Sequence, residues 1–225
     1  MITRQIFVSA FCLLMLCAKP CFADDIWGAA SFDNGNILDE PNNQVLSTIT
    51  ITEAGIIEDI TVTIEGIEHT NVGDLIAELR FIGTMTAEPA YLFFRPNVDG
   101  ADIIGSRSNF GDGLGGRGTY SFGSSGADLW QESAIGDSED VPQQQYFTSD
   151  ENGEFHDLGG PQFFEGFNTL GQWQLVITDD NSFGNNVGFV ESWSIDFDVV
   201  AVIPEPATST LFGIAIAMIA IRRRR

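Results

Sequence analysis

An antiparallel β-sandwich of the jelly-roll kind is the fold class this sequence predicts. Apolar and polar residues alternate with period two in several short runs, no long stretch carries a helical period, and clusters of Gly, Asn and Asp separate the runs. Period-two patterning buries one face of a strand and wets the other, so such strands pair into sheets that must stack face to face. In order, the expected strands are 45–52, 60–65, 75–82, 91–94, 119–122, 173–178 and 193–198. In the second, Ile60, Val62 and Ile64 alternate with Thr61, Thr63 and Glu65; in the last, Trp193, Ile195 and Phe197 alternate with Ser194, Asp196 and Asp198. Glu53-Ala54-Gly55, Asn97-Val98-Asp99-Gly100, residues 111–116 and Asp179-Asp180-Asn181 supply the residues that sharp reversals need. Residues 123–167 are polar and loop-like, and a segment of that length is either a functional loop or hides further strands. No repeat of solenoid or propeller period is present.

Both ends read as targeting segments. Arg4 opens a positive region, Ile6 to Leu16 is apolar, and Cys21-Phe22-Ala23 places a small residue before a cut expected after Ala23. A lipoprotein signal at Cys17 or Cys21 is the rival, but the residues preceding each fit a lipobox poorly. At the other end Pro204, Glu205 and Pro206 precede an apolar run to Ile221 and a cluster of Arg222, Arg223, Arg224 and Arg225. Residues 207–221, at 1.5 Å each, fall short of a ~30 Å hydrocarbon core, and the arginines stop transfer on the cytoplasmic side. This order of motif, apolar stop and basic cluster closely resembles the PEP-CTERM tails of Gram-negative bacteria. The resemblance implies recognition by a membrane exosortase, transient anchoring in the inner membrane, cleavage near the motif, and release to the cell surface or extracellular matrix; an ordinary permanent anchor is the alternative. The expected organisation is therefore a signal peptide at 1–23, an N-terminal strand or linker at 24–44, the sandwich at 45–202 and a sorting tail at 203–225.

All three cysteines, Cys12, Cys17 and Cys21, lie inside the expected signal, so the mature domain must rely on its core or on bound ions rather than disulfides. All 32 acidic residues follow Ala23, and only Arg80, Arg95, Arg107 and Arg117 are basic between signal and tail. Such a surface excludes nucleic acid as a partner. It fits either solubility outside the cell or binding of divalent cations by clustered carboxylates. For calcium the candidate ligands are Asp99, Asp102, Asp179, Asp180 and Asn181, with Asx turns at hairpin ends as the structural alternative.

Two blocks carry a second resemblance. Residues 60–79 run through His69-Thr70 to Gly73-Asp74-Leu75, and residues 168–179 contain Gly171-Gln172-Trp173-Gln174-Leu175 and end at Asp179, followed by Gly188 and then Trp193. Together they resemble the P domain, or Homo B domain, of kexin- and furin-type proprotein convertases, over about residues 45–199. That family implies a galactose-binding-like jelly-roll sandwich; the convertases' subtilisin-like catalytic domain has no counterpart in this chain. Within the blocks Gly73 suits a turn with positive φ, Asp74 an acceptor of backbone hydrogen bonds in that turn, Leu75 the restart of the core face, and Trp173 and Trp193 the core. His69 reads as a metal ligand, a base or, more simply, a hydrogen-bonded structural histidine; His156 stands beside Asp157 in the loop-like region.

No nucleophile elbow, zinc-binding helix motif or phosphate-cradling loop is present, and no catalytic residue is assigned. A glycosidase carboxylate pair is the one enzymatic alternative. The sequence is thus read as a non-catalytic exported module that binds or builds envelope components or extracellular polysaccharide. Two alternatives accompany it: an accessory P domain acting with a separate secreted subtilisin-like serine endopeptidase, and a calcium-dependent glycan-binding adhesin using Trp27, Tyr120 or Trp130.

Overall fold

The computed structural model describes residues 25–38, 43–83, 90–97, 107–111, 116–133, 139–180 and 188–200. The signal segment, the Pro204-Glu205-Pro206 motif, Arg222 to Arg225, and Asp99, Asp102 and Asn181 lie outside these residues. Among the described residues no helix is long and apolar enough to cross a membrane.

Among the described residues, eleven strands build two sheets that face each other across one core. They are β1 (Ile26–Ser31), β2 (Asn36–Ile37), β3 (Asn43–Ile51), β4 (Ile56–His69), β5 (Leu75–Ile82), β6 (Ala90–Phe94), β7 (Gly118–Gly123), β8 (Gln145–Phe147), β9 (Gly171–Asp179), β10 (Gly188–Phe189) and β11 (Ser192–Val200). The larger sheet runs β1-β11-β4-β10-β2, with β7 on β4 and β8 parallel to β7; the smaller runs β3-β9-β5-β6, antiparallel throughout. The expected all-β sandwich is what forms.

Period two sets the register. In β11, Trp193, Ile195 and Phe197 are buried opposite Ile64, Val62 and Ile60 of β4, while Asp196 and Asp198 are exposed. The facing sheet contributes Trp173, Leu175 and Ile177 of β9 with Leu75, Ala77 and Leu79 of β5. The layers meet where Trp173 lies 4.9 Å from Phe197 and Phe93 of β6 lies 5.3 Å from Phe122 of β7, centroid to centroid. Midway along β4 the pairing with β7 shifts between Glu65 and Ile67, and Gly66 takes φ +65° there, a conformation that side chains with a Cβ avoid.

The sandwich starts earlier than residue 45, the boundary expected from patterning. β1 pairs along its whole length with β11, burying Ile26, but Gly28, Ala29 and Ala30 are too small to display an alternation. The described residues of 123–167 combine one strand missed by the sequence pattern with a short helix and turns. They hold β8, the short helix α1 (Leu129–Glu132) capped by the Asp128 carboxylate, and hydrogen-bonded turns. Leu129, Val141, Tyr146, Leu158 and Phe164 from this segment enter the core.

Candidate functional site

Four of the residues singled out by sequence, His69, Gly73, Asp74 and Asp179, gather at one end of the sandwich, where β4 leaves the larger sheet and β9 ends in the smaller one. His69 closes β4, a 3-10 turn at Val72–Asp74 carries the chain across, and β5 begins at Leu75 opposite Asp179. His69 and Asp179 are both fully buried, with Nε2 3.5 Å from Oδ2, so the pair spans the two sheets. The other ring nitrogen, Nδ1, lies 2.8 Å from the Asn71 carbonyl and 3.2 Å from the Asn71 amide. Asn71 also donates from Nδ2 to Asp74 Oδ2 at 3.1 Å, and the Asp180 amide donates to the Asp74 carbonyl at 2.9 Å. Asp74 is thus buried with a hydrogen-bonded partner in the turn, while Asp179 is buried facing His69.

Gly73 departs from expectation. It lies in the 3-10 turn with ordinary negative φ and is buried, and its carbonyl accepts from Arg95 Nε at 3.2 Å. The turn tightens by the Asp74 amide donating to the Asn71 carbonyl, which needs no left-handed residue. Asp74 Oδ2 accepts from the Asn71 side chain.

Arg95 was not legible as a site residue. It follows β6 at φ +37°, donates its amide to the Leu75 carbonyl at 2.9 Å and meets Asp180 Oδ2 through Nη1 at 3.1 Å. The available signal was its rarity, as one of four cations in a strongly acidic stretch. Glycine at 188 is a requirement of the same corner. Gly188 pairs with His69, and a Cβ there would stand 2.5 Å from the Glu68 carbonyl oxygen and 2.5 Å from His69 Cδ2. Gly188→Ala is expected to destabilise the fold by about 1–3 kcal/mol, since backbone and a buried ring must both shift. Urea unfolding of the two proteins checks this.

Of the proposed calcium ligands, the described pair is engaged elsewhere: Asp179 against His69, Asp180 with Arg95. Among the described residues no group of three acidic or histidine side chains is disposed to hold a metal ion. That includes a groove of about 380 Å3 on the larger sheet lined by Asp25, Asp59, Thr61, Asp196 and Asp198, where burial, then the nearby Asp25 charge, raises the pKa of Asp196. The other three proposed ligands, Asp99, Asp102 and Asn181, lie outside the described residues.

The three aromatic suspects for glycan contact separate. Tyr120 is core, its hydroxyl donating to the Val141 carbonyl at 3.2 Å, and Trp130 is partly buried on α1. Trp27 is 66 % exposed on the outer face of β1.

His156 is held by the fold as well. Its Nε2 donates to the Tyr91 carbonyl at 2.6 Å, and its ring lies 4.8 Å from that of Phe163. Burial lowers its pKa below the ordinary 6.5, against the opposing pull of the Tyr91 bond and of Asp150 and Asp157. The neutral ring's contribution is then complete above pH 6.5 and is lost as pH falls through the folded value, because the unfolded chain takes up the proton first. Melting temperature measured from pH 8 to pH 5 should fall more steeply for the native protein than for His156→Gln.

No protein-family model matches this sequence. No curated protein matches it either. Among solved structures, the chain is similar to the serine protease of Aeromonas sobria, with 16 % identity, TM-score 0.41, and coverage of 85 % of this chain and 30 % of that one. It is similar also to the Aeromonas sobria serine protease (ASP) in the crystal structure of its complex with the chaperone (ORF2), with 16 % identity, TM-score 0.42, and coverage of 82 % and 28 %. The chain spans less than a third of the length of either protease chain.

Proposed function

We propose that this chain is a non-catalytic β-sandwich module, exported by its N-terminal signal, sorted by an exosortase at Pro204-Glu205-Pro206, and kept at the cell surface or in the surrounding polysaccharide. The observation that supports it most is the state of the His69–Asp179 pair. A histidine beside a carboxylate is the usual core of an acid–base site, yet here both side chains are wholly buried and the histidine is joined to the turn that links the sheets. A base must come within hydrogen-bond reach of a substrate proton, and this one has no open face to offer. The same residues serve well as a pin between layers. What the molecule then presents to its surroundings is an acidic outer surface, suited to binding rather than to turnover.

The P-domain resemblance supports a second reading, an accessory module for a separate subtilisin-like protease, because the structure brings His69, Asp74 and Asp179 of the two resembling blocks into one cluster. Recovery of tagged protein from the surface fraction, with mass spectrometry of both termini and of co-purifying proteins, separates the readings. The proposal expects a start at Asp24, an end near Pro204 to Pro206, and no stoichiometric protease. An intact Arg222–Arg225 end in the surface fraction overturns the sorting step.

A further inference from the structure

We infer that the cavity between Phe155 and Gln162 is a binding site for a neutral hexopyranose unit of a polysaccharide. The inference rests on the reading of the chain as an exported binding module and gives that module a site. The cavity has a volume of about 240 Å3 and is lined by Phe155, His156, Asp157, Gly160, Pro161 and Gln162. That is smaller than the roughly 300–1,000 Å3 of pockets that enclose drug-sized ligands, and it suits one ring of a chain whose neighbours stay outside.

Its walls are set before any ligand arrives. The Phe155 amide region is clipped to β6 by the Ser149 amide donating to the Leu92 carbonyl at 3.2 Å and by the bridge between Ser149 and Phe155. On the other side, Asp157 Oδ1 accepts from the Gly159 amide at 2.9 Å, the Gly160 amide donates to the Asp157 carbonyl at 3.0 Å, and Leu158 and Phe164 anchor the turn in the core. A preformed site loses less freedom on binding.

The chemistry left over matches a sugar. Phe155 is 51 % exposed although it is a large aromatic, and an edge contact with Phe147 at 5.5 Å holds its ring in place. Its negative face is what the axial C–H groups of a pyranose stack against. Because Nε2 of His156 must donate to a carbonyl, the neutral ring has Nδ1 as an acceptor, and that nitrogen has no hydrogen-bond partner among the described residues. Among the described residues Asp157 Oδ2, a second acceptor, has no hydrogen bond, and neither has the exposed Gln162 amide, which both donates and accepts. Two acceptors, one amide and an aromatic face call for a ligand carrying several hydroxyl donors on a flat apolar ring. Carboxylated and phosphorylated ligands are disfavoured by Asp157 and by the absence of any cation from the lining.

The test is titration of the isotopically labelled mature protein with methyl glucoside, methyl galactoside and methyl mannoside, followed by amide NMR. At least one should shift amides confined to residues 155–162. Phe155→Ala should raise its apparent Kd about tenfold. Asp157→Asn, which retains the Oδ1 acceptor for Gly159, should weaken it severalfold with the melting temperature unchanged. If none of the three moves these amides, or only an alkylammonium ion does, the site is refuted. Should the protein still sediment with extracellular polysaccharide in that event, the binding-module reading stands and only this pocket is lost.

Discussion

Trp173→Ala should cost about 3–5 kcal/mol of stability, a large share of the roughly 5–15 kcal/mol that holds a domain together. Trp173 is fully buried where three layers of aromatics meet: Phe81 at 4.8 Å, Phe164 at 5.0 Å and Phe197 at 4.9 Å. The cavity left by alanine would open against both sheets and against the 158–164 turn together. Its indole N–H donates to the Thr169 carbonyl at 2.9 Å, whereas that of Trp193, equally buried, has no partner among the described residues. The phenylalanine variants should therefore diverge. Trp173→Phe strands the buried Thr169 carbonyl, while Trp193→Phe removes an unsatisfied donor and offsets part of its packing loss. Denaturant midpoints should rank native, Trp193→Phe, Trp173→Phe, Trp173→Ala, from most to least stable.

Asp179→Ala is the second large effect, expected at about 3 kcal/mol, in the range for stranding one partner of a buried pair. Asp179 ends β9 opposite Leu75 and faces His69 across the gap between the sheets, so its loss strikes the point where the layers are joined. His69→Ala should cost a similar amount, and the double variant should cost less than the two added. A coupling of about 1–3 kcal/mol in the double-mutant cycle is the signature of a pin between layers. Additivity within about 0.5 kcal/mol would mean that each residue supports only its own sheet.

Most of the sandwich could be read in the chain because most strands bury one face. Ile60, Val62 and Ile64 announce β4, and Trp193, Ile195 and Phe197 announce β11, by alternation alone. Where burial is uneven the signal vanishes. β1 offers Gly28, Ala29 and Ala30 instead of an apolar face, and the core residues of 123–167 are spaced by turns, with no period to detect. The corner site was half legible. His69, Asp74 and Asp179 belong to blocks with a family resemblance, but their meeting depends on the β5–β9 register and on Arg95, which nothing in its neighbourhood distinguishes. The cavity at Phe155 was invisible, since it is shaped by side-chain-to-backbone bonds within a turn that composition describes only as polar.

If, as proposed, this sandwich with its sealed His69–Asp179 pair serves by binding polysaccharide, the mature protein must bind that polysaccharide by itself. Co-sedimentation of the mature protein with extracellular polysaccharide from the producing cells tests this most directly. The protein should pellet with the polysaccharide at physiological salt, without added protease or other protein. Protein that stays in the supernatant, yet sediments once a secreted subtilisin-like protease is supplied, would contradict it.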